Sequence, residues 1–419
     1  MTSMPPIERR TTNRTEPGRP RPLADAVLRL IWQEREISRA DIARRTDLSR
    51  STVSEIVSLL LPTALVAEIG TGPSRGGRRP IVLRFQDEAC TILGVEVGAT
   101  HVAVALTDLR GKVLVWRQRQ HAVRTDPDGT RRLVKELCEA CLEKSATSTR
   151  RLIGIGIALP SPVDPREPQR LSEVVLPDWN GRHGFESLGE SLGVPLFVDN
   201  DANLGALAER WWGAGRGIDD FAYVKIATGI GSGHMSGGRL FRGANGVAGE
   251  IGHMAIDPHG EPCVCGLRGC LTTFIGSQAL LDRAARLRSE HPESPLVQDE
   301  PTVALLEQAT LAGDPLATRL VEDTAEKLGI AIASMLNLMN PAKVILGGSL
   351  TQVGEALLTP LRETVRRRTL VSSLDGSAIV ASELGPRAGA VGAATMVLEA
   401  ALNDSRLFPT THRRSESRR

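Results

Sequence analysis

The sequence reads as an α/β protein in two parts: a small helical unit ending in a hairpin, then a large body of alternating strands and helices built as two lobes. Three observations predict this. Apolar residues recur at helical spacing from Leu23 to Leu60, followed by two short β-branched runs, Leu65 to Ile69 and Ile81 to Phe85. From Cys90 onward strands alternate with helices, and glycine is frequent, at 41 of 419 residues. Finally, Leu93 to Val115 and Tyr223 to Phe241 share one plan of strand, glycine turn, strand, glycine and strand. Two such stretches about 130 residues apart imply a duplicated core with a cleft between its lobes, the ordinary place for a ligand.

Composition narrows the class of protein. With 41% hydrophobic and 24% charged residues the chain is neither disordered nor fibrous. Its net charge is only +2, but residues 1–22, 23–86 and 404–419 each carry +3, which leaves about −7 for the middle. A basic end on an acidic body implies that one segment meets a polyanion and the other does different work. No run approaches eighteen apolar residues, and Met1 to Pro22 has no apolar signal core, so a cytoplasmic protein with no membrane contact is expected. Residues 1–21 and 403–419 read as solvated basic tails, since both are poor in apolar residues.

In the N-terminal unit Leu23, Val27, Leu30 and Ile31 form an apolar stripe. Ser38, three residues before Asp41, reads as the N-cap of a second helix, and Ser49 caps a third. In that third helix Val53, Ile56, Val57 and Leu60 face inward, leaving Ser49, Arg50, Ser51, Thr52 and Ser54 near its start to meet a groove. The loop from Gly72 to Pro80 places Arg75, Arg78 and Arg79 on a flexible tip. This is a winged helix-turn-helix pattern, whose third helix reads the DNA major groove while the basic wing touches phosphate.

In the body, the turns Gly98-Ala-Thr100 and Thr228-Gly-Ile-Gly-Ser-Gly233 free backbone N–H groups that could hold phosphate oxygens. Asp199-Asn-Asp-Ala-Asn203 falls where a buried strand gives way to a helix. A carboxylate there could take a hydroxyl proton from a polyol with Asn200 fixing its neighbour, or the run could simply cap the helix. His253 with Cys263, Cys265 and Cys270 forms a full tetrahedral set for structural Zn2+, leaving no position open for water. Cys138 and Cys141 lie in a helical run with Leu133, Leu137 and Leu142 and read as packing residues.

Together these motifs resemble the ROK family of repressors, open reading frames and kinases. The resemblance covers about residues 23 to 400. It rests on Ser-Arg-Ala-Asp-Ile-Ala (38 to 43), Gly-Gly-Arg-Arg-Pro (76 to 80), Asp199-Asn-Asp-Ala-Asn203, Ala248-Gly-Glu-Ile-Gly-His253, the cysteine loop, and Asn340-Pro-Ala-Lys-Val-Ile-Leu-Gly-Gly348. It implies an actin-like, ribonuclease-H-like two-lobed body behind the winged helix. The expected domains are 22–86 for the winged helix, 90–198 with 385–402 for one lobe, and 199–384 for the other with the metal loop. The resemblance also implies a sugar site made by Asn180, Asn200, Asp201, Glu250 and His253. Asp201 stands at the place of the kinases' catalytic base, and His253 would serve metal and sugar with its two ring nitrogens.

Several positions depart from the family's kinases. Their Asp-x-Gly-Gly-Thr-Lys turn is here Glu96-Val-Gly98-Ala-Thr100-His101, and Ala227 precedes the Thr228, Gly229, Gly231, Gly233 turn. Thr272 replaces a sugar-binding glutamate, a change worth roughly 1.5–3 kcal/mol for a charge-assisted hydrogen bond. The expectation is a transcriptional repressor of sugar metabolism genes. It would act as a homodimer or homotetramer on paired operator half-sites, with a sugar or sugar derivative changing its operator affinity. The rival expectation is an Mg-ATP-dependent sugar kinase carrying a DNA-binding domain.

Overall fold

The computed structural model describes residues 22–71, 80–145, 151–298, 301–369 and 378–409. Backbone contacts divide the chain into two compact units, Met1–Phe85 with Leu402–Arg406, and Gln86–Ala401 with Leu407–Arg419.

The first unit holds α1 (Pro22–Glu34), β1 (Glu36–Ser38), α2 (Arg39–Thr46), α3 (Arg50–Leu60), β2 (Val66–Thr71) and β3 (Ile81–Phe85). Ser38 and Ser49 both cap as their spacing predicts, accepting from the N–H groups of Asp41 and Thr52. Asp47 ends α2 in the left-handed conformation, which makes the turn between α2 and α3. Val27, Leu28, Ile31, Ile42, Val53 and Val57 are fully buried and form the core of the unit. The sheet has three strands in the order β1-β3-β2, not two, because Ile37 pairs with Leu83. Three residues are too few to show an alternation.

The body begins with β4 (Thr91–Val97), β5 (His101–Thr107), β6 (Val113–Gln120), α4 (Pro127–Lys144), β7 (Leu152–Leu159), α5 (Glu186–Leu192) and β8 (Leu196–Asn200). After α6 (Asp201–Trp212) come β9 (Phe221–Ile226), β10 (Ile230–Ser236) and β11 (Arg239–Phe241). Five helices follow: α7 (Leu271–Ile275), α8 (Ser277–Arg286), α9 (Pro295–Gln298), α10 (Val303–Leu311) and α11 (Pro315–Met339). The chain then runs through β12 (Lys343–Gly347), α12 (Glu355–Arg368), β13 (Ile379–Ala381) and α13 (Ala388–Asn403).

The duplication is explicit in the sheets. One has the order β6-β5-β4-β7-β8 and the other β11-β10-β9-β12-β13. In each, an antiparallel three-stranded meander continues into two parallel strands. The second sheet packs under the helical layer of α7 to α12 in the largest core cluster. Against the first sheet, α13 packs so closely that a Cβ on Gly156 would lie 1.9 Å from the Ala393 carbonyl oxygen. This two-lobed α/β architecture is the one the sequence predicts.

The C-terminal reading is corrected at residues 403–409. Asn403 ends α13, Ser405–Leu407 form a 3-10 turn, and Phe408 is buried. The Ser405 N–H donates to Asp25 in α1 at 3.0 Å. One aromatic among polar residues was too weak a sign of order. The wing tip with Arg75, Arg78 and Arg79, residues 1–21 and the end of the chain from 410 lie outside the described residues.

Candidate functional site

The strand-to-helix step from β8 to α6 positions the first polar group of the site. Asn200 caps α6, its side-chain oxygen accepting from the N–H of Ala202 (2.9 Å) and Asn203 (3.1 Å) while its amide donates to the Ser161 carbonyl (3.2 Å). Its buried neighbour Asp199 accepts from Asn203 and from the Arg242 guanidinium. The capping reading of this run is therefore realised by Asn200. Asp201, the first residue of the helix, carries its carboxylate to the Lys225 ammonium, which also holds Glu96 of the other lobe.

On the second lobe a short 3-10 turn, Ile251–His253, follows Glu250. His253 Nε2 lies 4.0 Å from Glu250 Oε2, and its Nδ1 lies 3.5 Å from Cys263 Sγ. Burial, and then the negative charge of Asp201, push the Glu250 carboxyl up to about 7. Asp201, Glu250 and His253 thus form one neighbourhood. Asn180 does not join them in the described contacts. It ends a 3-10 turn in the left-handed conformation, is exposed, and lines a separate hollow with Arg170, Glu173 and Arg182. A cavity of about 570 Å³ lies beside Asp199, Arg242 and His183, and Asp201, Glu250 and His253 are not among its lining residues.

His253, Cys263, Cys265 and Cys270 bring their ligand atoms within 4.8 Å of one another, a cluster able to hold a metal ion. Cys265 and Cys270 sulfurs are 3.6 Å apart. The loop closes tightly: a Cβ on Gly269, at φ +64°, would sit 1.5 Å from the Asp257 carbonyl oxygen. Cys138 and Cys141 are buried in α4 with their thiols pushed well up by burial, as packing residues would be.

Sequence reasoning missed the group that links the lobes. Lys225, on β9, reaches Glu96 Oε1 of β4 at 2.6 Å and Asp201 Oδ2 at 2.8 Å, with all three side chains nearly buried. Burial opposes the charge on Glu96, but Lys225, His101 and the Ala390 N–H outweigh it and hold the carboxyl below its usual range. Burial likewise opposes the charge on Lys225, and the two carboxylates raise its pKa above the ordinary lysine value. A lysine at an inward position of a buried strand was the available signal.

The predicted phosphate turns differ in what surrounds them. A Cβ on Gly98 would lie 2.5 Å from the His101 ring, so that ring fills the space above the first turn. A Cβ on Gly229 in the second turn would meet nothing within 4 Å, while Gly231 and Gly233 pack against α6. Thr100 is exposed, and Thr228 is half-buried with its carbonyl oxygen against Gly276. A magnesium nucleotide does not fit the residues present at the first turn. His101 covers Gly98, and the Lys225 ammonium already bridges Glu96 and Asp201.

In the first unit Arg50 and Ser51 are exposed at the start of α3, and Thr52 and Ser54 are half-buried. Ser49 is exposed too, but its hydroxyl is held by the cap and by Ser51 and Thr52.

The ROK family profile matches residues 92–400. The chain belongs to the ROK family. A winged helix-turn-helix DNA-binding profile also matches residues 26–61 of this ROK protein. It is 31% identical to the xylose repressor of Caldicellulosiruptor bescii, over 89% of this chain and 94% of that one. It is 32% identical to the DNA-binding transcriptional dual regulator NagC of Escherichia coli, over 90% and 92%. Among solved structures, a ROK family transcriptional regulator homologous to E. coli MLC superposes with a TM-score of 0.77 at 29% identity, over 92% and 96%. A ROK family glucokinase from Streptomyces griseus, in complex with glucose and AMPPNP, gives 0.63 at 29% identity, over 73% of this chain and 98% of the kinase. Among the described residues no helix is long and apolar enough to cross a membrane.

Proposed function

We propose that this ROK protein is a DNA-binding transcriptional repressor of sugar metabolism genes, released from or reset on its operator by a sugar or sugar derivative. One observation carries the reading. The repressors named above match about nine-tenths of the chain, whereas the glucokinase spans the body and leaves about a quarter of the chain unmatched. Arg50, Ser51, Thr52 and Ser54 on α3 are the residues proposed to reach base edges and phosphate, with Arg75, Arg78 and Arg79 on the wing adding sequence-blind phosphate contacts. Two copies would set two winged helices on paired half-sites.

The effector's hydroxyl groups are assigned to Asp201, Glu250 and His253, with Asn200 fixing the start of α6. His253 would turn Nδ1 to a structural zinc ion and Nε2 to the ligand. The donor set of one imidazole and three thiolates suits that ion, which would supply architecture without a water-activating position. Asn180 enters as a loop residue over the sugar only if that loop closes. The retained Asp201 favours a sugar kinase as a second reading, and the Lys225 and His101 arrangement opposes it.

The test is fluorescence anisotropy on DNA from upstream of the protein's own gene, titrated with a panel of pentoses, hexoses, N-acetylated sugars and their phosphates. One compound should shift DNA affinity at least tenfold, and Asp201→Asn should abolish that response while leaving DNA binding intact. No DNA binding above that to random duplex would refute the reading.

A further inference from the structure

We infer that Lys225 is a resident cation that occupies, between the lobes, the position where two facing carboxylates would otherwise hold a divalent metal ion, and that it fixes Asp201 in one orientation as a hydrogen-bond acceptor. Three placements carry this. The ammonium lies within 2.8 Å of one carboxylate oxygen from each lobe, Glu96 of β4 and Asp201 of α6. Two facing carboxylates are an arrangement that ordinarily attracts a hard divalent cation, and here the protein supplies the positive charge itself. Second, the Glu96 carboxylate occupies the positive N-terminal end of α13, accepting from the Ala390 N–H and pressing against Gly389. The anion position at that helix end is thereby filled from within. Third, the His101 ring lies over Gly98, where close backbone approach would otherwise receive a phosphate oxygen.

The consequence reaches the effector. A carboxylate held at 2.8 Å by a buried ammonium keeps one fixed orientation, so Asp201 presents its remaining lone pairs to a ligand hydroxyl. The same ammonium joins the two lobes, so a ligand that draws on Asp201 also acts on the contact between them.

This inference rests on the reading of the lobe junction as an effector site, but its test is blind to which effector binds there. Full-length zinc-loaded protein is titrated with Mn2+, and free Mn2+ is followed by electron paramagnetic resonance. The wild type should show no Mn2+ site that Asp201→Asn removes. Lys225→Met should gain one Mn2+ per chain with at least a tenfold lower Kd than any wild-type binding, and adding Asp201→Asn should remove it. Lys225→Arg, which keeps the charge, should gain none. A wild-type Mn2+ site lost on Asp201→Asn, or a folded Lys225→Met that gains no Mn2+, would overturn the inference. If Lys225→Met does not fold, Lys225→Gln, whose amide still donates to either carboxylate, is read by the same two criteria. Loss of sugar response with the manganese result intact would count against the effector reading alone.

Discussion

The two ends of the lobe junction hold their polar side chains by different devices. At one end three cysteines gather round His253 on its Nδ1 side, while its Nε2 lies 4.0 Å from the Glu250 carboxyl. At the other, Lys225 bridges Glu96 and Asp201 from within, and the His101 ring lies over Gly98. The first device supports a site from outside and keeps it open, and the second fills a site from within. The two glycine turns repeat the contrast, since Gly229 looks onto open space and Gly98 onto an imidazole. Matching glycines in a sequence therefore do not establish matching vacancies.

The contrast can be broken most forcefully at Lys225. Removing one partner of a buried ion pair leaves uncompensated charge, so Lys225→Met should destabilise the body by about 3–5 kcal/mol in a denaturant titration. An unchanged midpoint would mean that water already reaches the pair. Under the proposed zinc site, treatment with a chelator, or Cys265→Ser, should abolish sugar response while operator affinity changes less than about threefold, since the cluster lies in a different unit from the winged helix. A metal-free protein that still responds would remove the cluster from the effector site.

Gly98→Ala should cost about 1 kcal/mol because the His101 ring must swing aside, and Gly229→Ala less than about 0.5 kcal/mol. Gly98→Ala combined with His101→Ala should recover most of the loss. The smallest effect is on pH dependence. Burial pushes the His101 imidazole below its ordinary range despite the nearby Glu96 carboxylate. The unfolded chain then binds more protons than the folded one as pH falls through about 6.5, so His101 lowers stability on acidification and has no effect above that range. His101→Asn should flatten the stability profile between about pH 5 and 6.5, and an unchanged slope would show that the ring is freely hydrated.

Much of this was legible in the chain. Ser38 and Ser49 marked two helix starts because a hydroxyl just before an apolar helical pattern has few other uses, and both cap as read. The paired strand–glycine–strand stretches gave the duplicated lobes, since backbone geometry at tight turns restricts the residues allowed. The close spacing of three cysteines pointed to the cluster with His253 that the structure brings together and that is able to hold a metal ion. What escaped was whatever depends on long-range contact. Lys225 and Glu96 are 129 residues apart, and nothing local in β9 marks its lysine as the partner of two acids. The pairing of Ile37 with Leu83 and the burial of Phe408 are likewise tertiary facts carried by one residue each.

Sugar sensing at the lobe junction without nucleotide chemistry is the proposal that separates this protein from a sugar kinase. It is tested most directly by measuring sugar-dependent ADP release and sugar-dependent loss of operator anisotropy on the same preparation, with and without Mg-ATP. A sugar should shift operator affinity equally in both conditions, and ADP release should stay at the sugar-free background. Sugar-dependent ADP release that Asp201→Asn abolishes, or an operator response that appears only with Mg-ATP, would contradict it.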